Sequence, residues 1–238
     1  MRWGIGDPAT GIGYPRAMPC PAPHWLSALA GRFIVFDGPD GSGKSTQFRR
    51  FCAYLEGHGL ATCQVREPGG SSIGEQIRRI LLDPANAEMD MRCEMLLYMA
   101  SRAQLVGTHI VPALKKRQCV VADRFISSTV AYQGAAGGVA IEEIIAVGQT
   151  ATAGLMPDLV VIFDVDQDVA ATRLNPLLDR IEQRGEQYHR IVREGFLDQA
   201  RTAPDRYAVI DASPTSDVVF DHLLACMAQR FGNTSVGM

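Results

Sequence analysis

The sequence has no Cys-x-x-Cys pair, and no histidine-rich stretch lies beside any of its six cysteines, Cys20, Cys52, Cys63, Cys93, Cys119 and Cys226. Cysteines this far apart argue against a zinc site or a disulfide framework, and reduced thiols are expected. An excess of charge of one sign is also missing. With 23 basic and 26 acidic residues the net charge is −3, so no overall field draws the chain to nucleic acid or to an anionic membrane. Any anionic ligand must be met by local arginines. No apolar run approaches the roughly 20 residues of a membrane span, which predicts a soluble protein. Internal repeats and heptads are absent as well.

What is present suits one large α/β domain: 238 residues, 47% of them hydrophobic, supply ample core. Residues 1–30 read differently. Pro8, Pro15, Pro19, Pro21 and Pro23 alternate with glycines without sustained periodicity, as in a flexible extension. The stretch lacks the uninterrupted apolar segment of a secretory signal and the Arg/Ser richness of a transit peptide. A start assigned too far upstream, with Met18 as an internal candidate, is the alternative. The expected organisation is an extension (1–30), one domain (31–231) and a short tail (232–238).

From Arg32 onward, short β-rich runs alternate with longer helical patterns, which predicts a parallel sheet with helices on both faces. Strands are expected at 33–37, 62–66, 119–123, 159–164 and 207–211. Helices are expected at 45–57, 73–82, 91–114, 141–153, after Val169, at 189–203 and at 216–231. In such a doubly wound sheet, ligands collect at the carboxyl ends of the strands.

The first expected strand runs straight into Gly38, Pro39, Asp40, Gly41, Ser42, Gly43, Lys44, Ser45 and Thr46. This is the phosphate-binding pattern G-x-x-x-x-G-K-[ST]. Glycines let backbone N–H groups curl around an anion, and the positive end of the next helix points at it. Lys44 would reach the β- and γ-phosphates of a nucleotide, and the Ser45 hydroxyl would ligate Mg²⁺. Asp123, at the end of the apolar run CVVAD, is a second candidate metal ligand, and Arg124 beside it would stabilise phosphoryl oxygens.

Other groups are ambiguous taken alone. Arg66, before Glu67-Pro68-Gly69-Gly70, either clamps an anion or pairs with Glu67 on a solvated rim. Ser127, Ser128, Thr129, Tyr132 and Gln133 could read a base and sugar, or merely cap a helix. Tyr98 and Arg102, four residues apart on one helix face, could stack on a base and hydrogen-bond to it. An ordinary core edge explains them too.

Together the motifs FIVFDGPDGSGKSTQ, REPGG, ADRFISSTVAYQG, PDLVVIFDV, DRIEQ, VREGF and VIDAS resemble thymidylate kinases of the bacterial type, across nearly all of residues 32–231. The resemblance implies a P-loop fold with a five-stranded parallel sheet and a short lid. It implies a homodimeric enzyme that transfers the γ-phosphoryl group of ATP, with Mg²⁺, to dTMP, and the reduced thiols suggest a cytoplasmic one. Residues 38–46 would hold the ATP phosphates. Asp40 would contact the acceptor sugar, Arg66 and Arg124 its phosphate, and Tyr98, Arg102, Thr129 and Gln133 its base. Tyr132 would pack against the sugar and disfavour a ribose 2′-hydroxyl. Catalytic charge would come from Lys44, Arg124 and a lid arginine, with Arg180 the first choice and Arg173 and Arg184 the alternatives. The closing lid would span residues 174–186, its stretch from Arg173 to Arg180 looks shortened with only the two terminal arginines, and Gly41 stands where some members of the family carry an arginine. Among rival readings, a kinase for another nucleoside monophosphate stays closest. A nucleotide-dependent switch is weakened, in its GTP form, by the absence of an [NT]-K-x-D motif.

Overall fold

The computed structural model describes residues 23–173 and 179–232. The strands form where expected: β1 (Phe33–Asp37), β2 (Thr62–Arg66), β3 (Cys119–Asp123), β4 (Leu159–Asp164) and β5 (Tyr207–Asp211). All pair in parallel, in the order β2-β3-β1-β4-β5. Strand β1 is central and buried along its whole length. Its period of two sends Phe33 and Val35 into one core and Ile34 and Phe36 into the other, as a sheet covered on both faces requires. The first core is closed by α3 (Met91–Leu105), α6 (Ile141–Thr152) and α8 (Glu186–Thr202), the second by α1 (Lys44–Gly57) and α9 (Ser216–Phe231).

Between β2 and α3 lies α2 (Ser72–Leu82), whose N-cap Ser71 accepts a hydrogen bond from Gly74 N at 3.0 Å. The helix expected over 91–114 is interrupted. After α3 the backbone widens into a π-helical turn, Val106–Ile110, before α4 (Val111–Lys115). Pro112 accounts for this, because it has no N–H to donate and its ring displaces the carbonyl four residues back. Two further short elements follow β3 and β4. Helix α5 (Ile126–Thr129) continues as a second π-helical turn, Val130–Ala136, and α7 (Gln167–Ala171) starts three residues before the segment expected after Val169.

Residues 1–22 of the expected extension lie outside the described residues, but its last part belongs to the fold. His24–Leu29 forms a 3₁₀ helix that buries Trp25, Leu26 and Leu29 in the second core. His24 Nε2 lies 3.1 Å from the carbonyl oxygen of Gly232, just beyond α9. The prolines and glycines around this stretch masked three apolar residues within one short helical segment.

Candidate active site

At the carboxyl end of β1 the chain turns through Gly38, Gly41 and Gly43 at φ values of +135°, +76° and +76°. A Cβ on Gly38 would stand 2.5 Å from the backbone oxygen of Phe163, so the loop hugs β4 as only glycine permits. Gly43 caps α1, and Lys44 opens it. Lys44 Nζ donates to Asp123 Oδ1 at 2.5 Å, and Ser45 Oγ donates to Asp123 Oδ2 at 3.2 Å. Burial alone would raise the Asp123 carboxyl. The charges of Lys44 and Arg124 and these hydrogen bonds outweigh it and hold the group below the ordinary carboxylate range. A cavity of about 210 Å³ follows the loop from Pro39 to Thr46, with Glu182 on its far wall.

A second cavity, about 260 Å³, opens on the other side of Lys44. Its floor is organised by Arg124. This residue adopts φ +73° directly after β3, a left-handed conformation that costs a non-glycine residue about 1–2 kcal/mol. The guanidinium pairs with Asp40, donates to Ser128 Oγ at 2.9 Å and to Gly38 O at 3.2 Å, and lies 5.1 Å from the centre of the Tyr132 ring. Tyr132 OH donates to Asp40 Oδ2 at 2.7 Å. For Asp40, burial pulls upward, but Arg124 and the Tyr132 hydroxyl prevail and its carboxyl is lowered. Asp37 behaves oppositely. It is fully buried and accepts from Ser127 at 2.6 Å and Ser128 at 2.7 Å, yet burial prevails and its carboxyl is raised.

Tyr98, Thr129, Tyr132, Gln133 and Arg66 line this second cavity, as do Asp40, Lys44, Ser45 and Asp123. Glu182 and the loop residues Asp40, Lys44 and Ser45 border both hollows. Arg66 pairs with Glu75 at 3.1 Å, not with Glu67, the partner weighed from sequence. A wider hollow of about 650 Å³ runs along the β5 edge between α8 and α9 and contains none of these residues.

Two expected site residues are placed elsewhere. Arg102 is 1% exposed and pairs with Glu67 at 2.6 Å while donating to Thr129 Oγ1 at 3.2 Å, so it backs the cavity wall without lining it. Arg180, the expected catalytic lid arginine, is buried against Glu94 at 2.5 Å and donates to the Leu81 carbonyl at 2.7 Å. Its alternatives are engaged as well: Arg184 with Glu94, and Arg173 with the carbonyls of Ala212 and Ser213. Residues 174–178 of the expected lid lie outside the described residues. Sequence reasoning passed over Glu94, Arg78, Asp179 and Glu182, all of which the structure draws to this region. Glu94 did leave a signal, one helical turn before Tyr98 on the same face.

A parallel sheet in this strand order, carrying a lysine-bearing glycine loop after its central strand, makes the chain a P-loop α/β protein with two ligand-sized hollows on one rim. A model of the thymidylate kinase family matches residues 36–223. The chain belongs to the thymidylate kinase family. It is 46% identical over 188 residues to a thymidylate kinase of Symbiobacterium thermophilum, covering 79% of this chain and 88% of that protein. A second relative, a thymidylate kinase of a Geobacillus species, is 40% identical over 206 residues, covering 85% and 98%. The crystal structure of thymidylate kinase from Ehrlichia chaffeensis superposes with a TM-score of 0.66 at 30% identity, covering 82% of this chain and 98% of that one.

Proposed function

We propose that the two hollows are the donor and acceptor halves of one site, in which the chain transfers the γ-phosphoryl group of ATP to dTMP, giving dTDP and ADP on the path to dTTP. The observation that carries this reading is the shared border: Asp40, Lys44 and Ser45 line both cavities, so phosphates entering from either side meet there.

An acceptor phosphate is already anionic and needs no protein nucleophile. The protein's task is to hold two charged groups in line and offset their repulsion. Lys44 and the N–H groups of the loop hold the donor phosphates; Arg124 and Arg66 hold the acceptor phosphate. The Asp40–Arg124–Tyr132 cluster arrives pre-assembled, so little reorganisation accompanies the transfer. Tyr98 offers a ring face to the base, with Thr129 and Gln133 as its polar neighbours. Arg102 steadies Thr129 from behind. Arg180 and Arg184 act as anchors that dock residues 179–184 over the acceptor, where closure excludes competing water.

Magnesium fits the residues present. Among the described residues no group of three or more His, Cys, Asp and Glu side chains could hold a metal, but an ion carried in by nucleotide phosphates and waters needs few protein ligands. The Ser45 hydroxyl and Asp123 carboxylate, 3.2 Å apart, supply hard oxygens at the loop. These two side chains would hold the ion, which would supply positive charge to offset that of the nucleotide phosphates.

The reading includes a homodimer, supported by exposed Ile73 and Ile80 on α2, Leu96 on α3, and Ile141 and Ile145 on α6, three helices packed side by side. It also includes a cytoplasmic location, supported by the free thiols of Cys52 and Cys119. Among the described residues no helix is long and apolar enough to cross a membrane. ADP release measured across thymidine, deoxyuridine, cytidine and adenosine monophosphates tests the whole. Preference for dTMP is expected, and preference for a purine would overturn it.

A further inference from the structure

Glu94 stands one turn before Tyr98 on α3, fully buried, and side chains from two other segments converge on it. Arg180 and Arg184 both donate to its Oε2, at 2.5 and 2.6 Å, and Gln133 Nε2 donates to its Oε1 at 2.7 Å. Carboxylate oxygens only accept. The Gln133 amide therefore has one tenable orientation, with its NH₂ toward Glu94. Rotating it would set two acceptor oxygens against each other in a buried place, leaving both without donors. Gln133 is 2% exposed and lines the 260 Å³ cavity, and since its Oε1 accepts no hydrogen bond among the described residues, that oxygen is left for whatever occupies the cavity.

We propose that Glu94 is a positioning residue that fixes Gln133 as a hydrogen-bond acceptor and thereby selects pyrimidines bearing hydrogen on N3. Thymine and uracil offer such an N–H, whereas cytosine has a lone pair at N3 and would face acceptor with acceptor. Sites built to bond a particular donor reject ligands that lack it, because the buried protein group is left unpaired. The inference rests on the reading that the base lies between Tyr98 and Gln133. The two arginines explain why the selector holds still. They occupy Oε2, which leaves Oε1 to the amide and ties acceptor choice to the docked segment 179–184.

The test compares kcat/KM for dTMP and dCMP in three variants of the full chain. In Glu94→Gln the amide keeps its oxygen toward Arg180 and Arg184 and turns its NH₂ to Gln133, which then flips and offers the cavity a donor, so the dTMP/dCMP ratio is expected to fall about 10-fold or more. Gln133→Ala is expected to lower the ratio to a similar degree, and adding Glu94→Gln to it is expected to lower it no further. A merely structural Glu94 would slow both substrates together and leave the ratio unchanged, which overturns the proposal. If Gln133→Ala itself leaves the ratio unchanged, the base-site reading fails first. Should Glu94→Gln not fold, NMR of the unsubstituted protein decides. The Gln133 side-chain amide, assigned by its loss in Gln133→Ala, is expected to show one proton shifted well downfield by a carboxylate partner. Two ordinary amide protons would overturn the proposal.

Discussion

Gly41 lies directly beneath the backbone oxygen of Ala170: a Cβ added to the glycine would come within 2.5 Å of that oxygen. The phosphate loop and α7 touch here with no room for a side chain. Arginine at this position, as the family resemblance suggests for other members, would have to displace α7 and adopt φ +76°. Gly41→Arg is therefore expected to lower stability by about 1–3 kcal/mol and to reduce turnover, not raise it. A thermal melt and steady-state ADP release check both, and a variant faster than the parent would refute the packing argument.

Lys44 is the cation on the border shared by the two cavities, and its partner Asp123 also feels the charge of Arg124. Truncation to alanine is expected to cut turnover by about 10³-fold or more while the melting temperature changes by only a few degrees. Near-normal turnover in the folded variant would remove Lys44 from the mechanism.

Arg66 and Arg124 are expected to separate binding from folding. The Arg66 side chain is 56% exposed with one partly exposed partner, so Arg66→Ala should leave stability within about 0.5 kcal/mol and raise KM for dTMP. Arg124, only 16% exposed, holds Asp40 and Asp37 together. Arg124→Ala is expected to cost about 3 kcal/mol in stability as well as activity, because it strands the buried Asp37 and the partly buried Asp40. Equal melting curves for the two variants would contradict this contrast.

Acid stability carries a sign that follows from Asp40. Its folded-state carboxyl is lowered, so its contribution is present above the ordinary value near 4 and is lost as pH falls through the folded value. Asp37, raised by burial, pulls the other way, but over the range above the ordinary value, up to its own folded value. Urea midpoints measured from pH 7 to pH 3 are expected to fall less steeply below about pH 4 in Asp40→Asn than in the parent. Parallel curves would mean that the fold does not favour the ionised form of Asp40.

Leu96, 53% exposed at the middle of α3, tests the homodimer. Leu96→Glu is expected to shift sedimentation from dimer toward monomer, with the melting curve of the monomer fold retained. An unchanged dimer would place the subunit contact elsewhere.

The strands were legible because each is a short run with β-branched or apolar residues ended by a charge, and 33–37 through 207–211 fall on β1 to β5 without adjustment. The phosphate loop was equally legible, since its chemistry is local. What sequence could not show is which partner a charged side chain meets. Tyr98 and Arg102 share a helix face, yet only Tyr98 lines the cavity, because Arg102 is claimed by Glu67, 35 residues away. Arg180 is claimed by Glu94 across 86 residues. Spacing along one element predicts a shared direction; tertiary pairing decides what stands there. The 24–29 helix was hidden for a different reason. Its surroundings carry the composition of a linker, and only packing against α1 and α9 gives its three apolar side chains a place.

The contact between His24 and Gly232 brings two chain positions 208 residues apart within hydrogen-bonding distance. Residue 24 leads into the amino end of the sheet, whereas the phosphate loop leaves its carboxyl end. A circular permutant that joins these neighbours through a short bridge and opens the backbone at another surface turn should thus keep both nucleotide hollows intact. Reporter domains fused at this seam would ride on the side of the molecule turned away from catalysis.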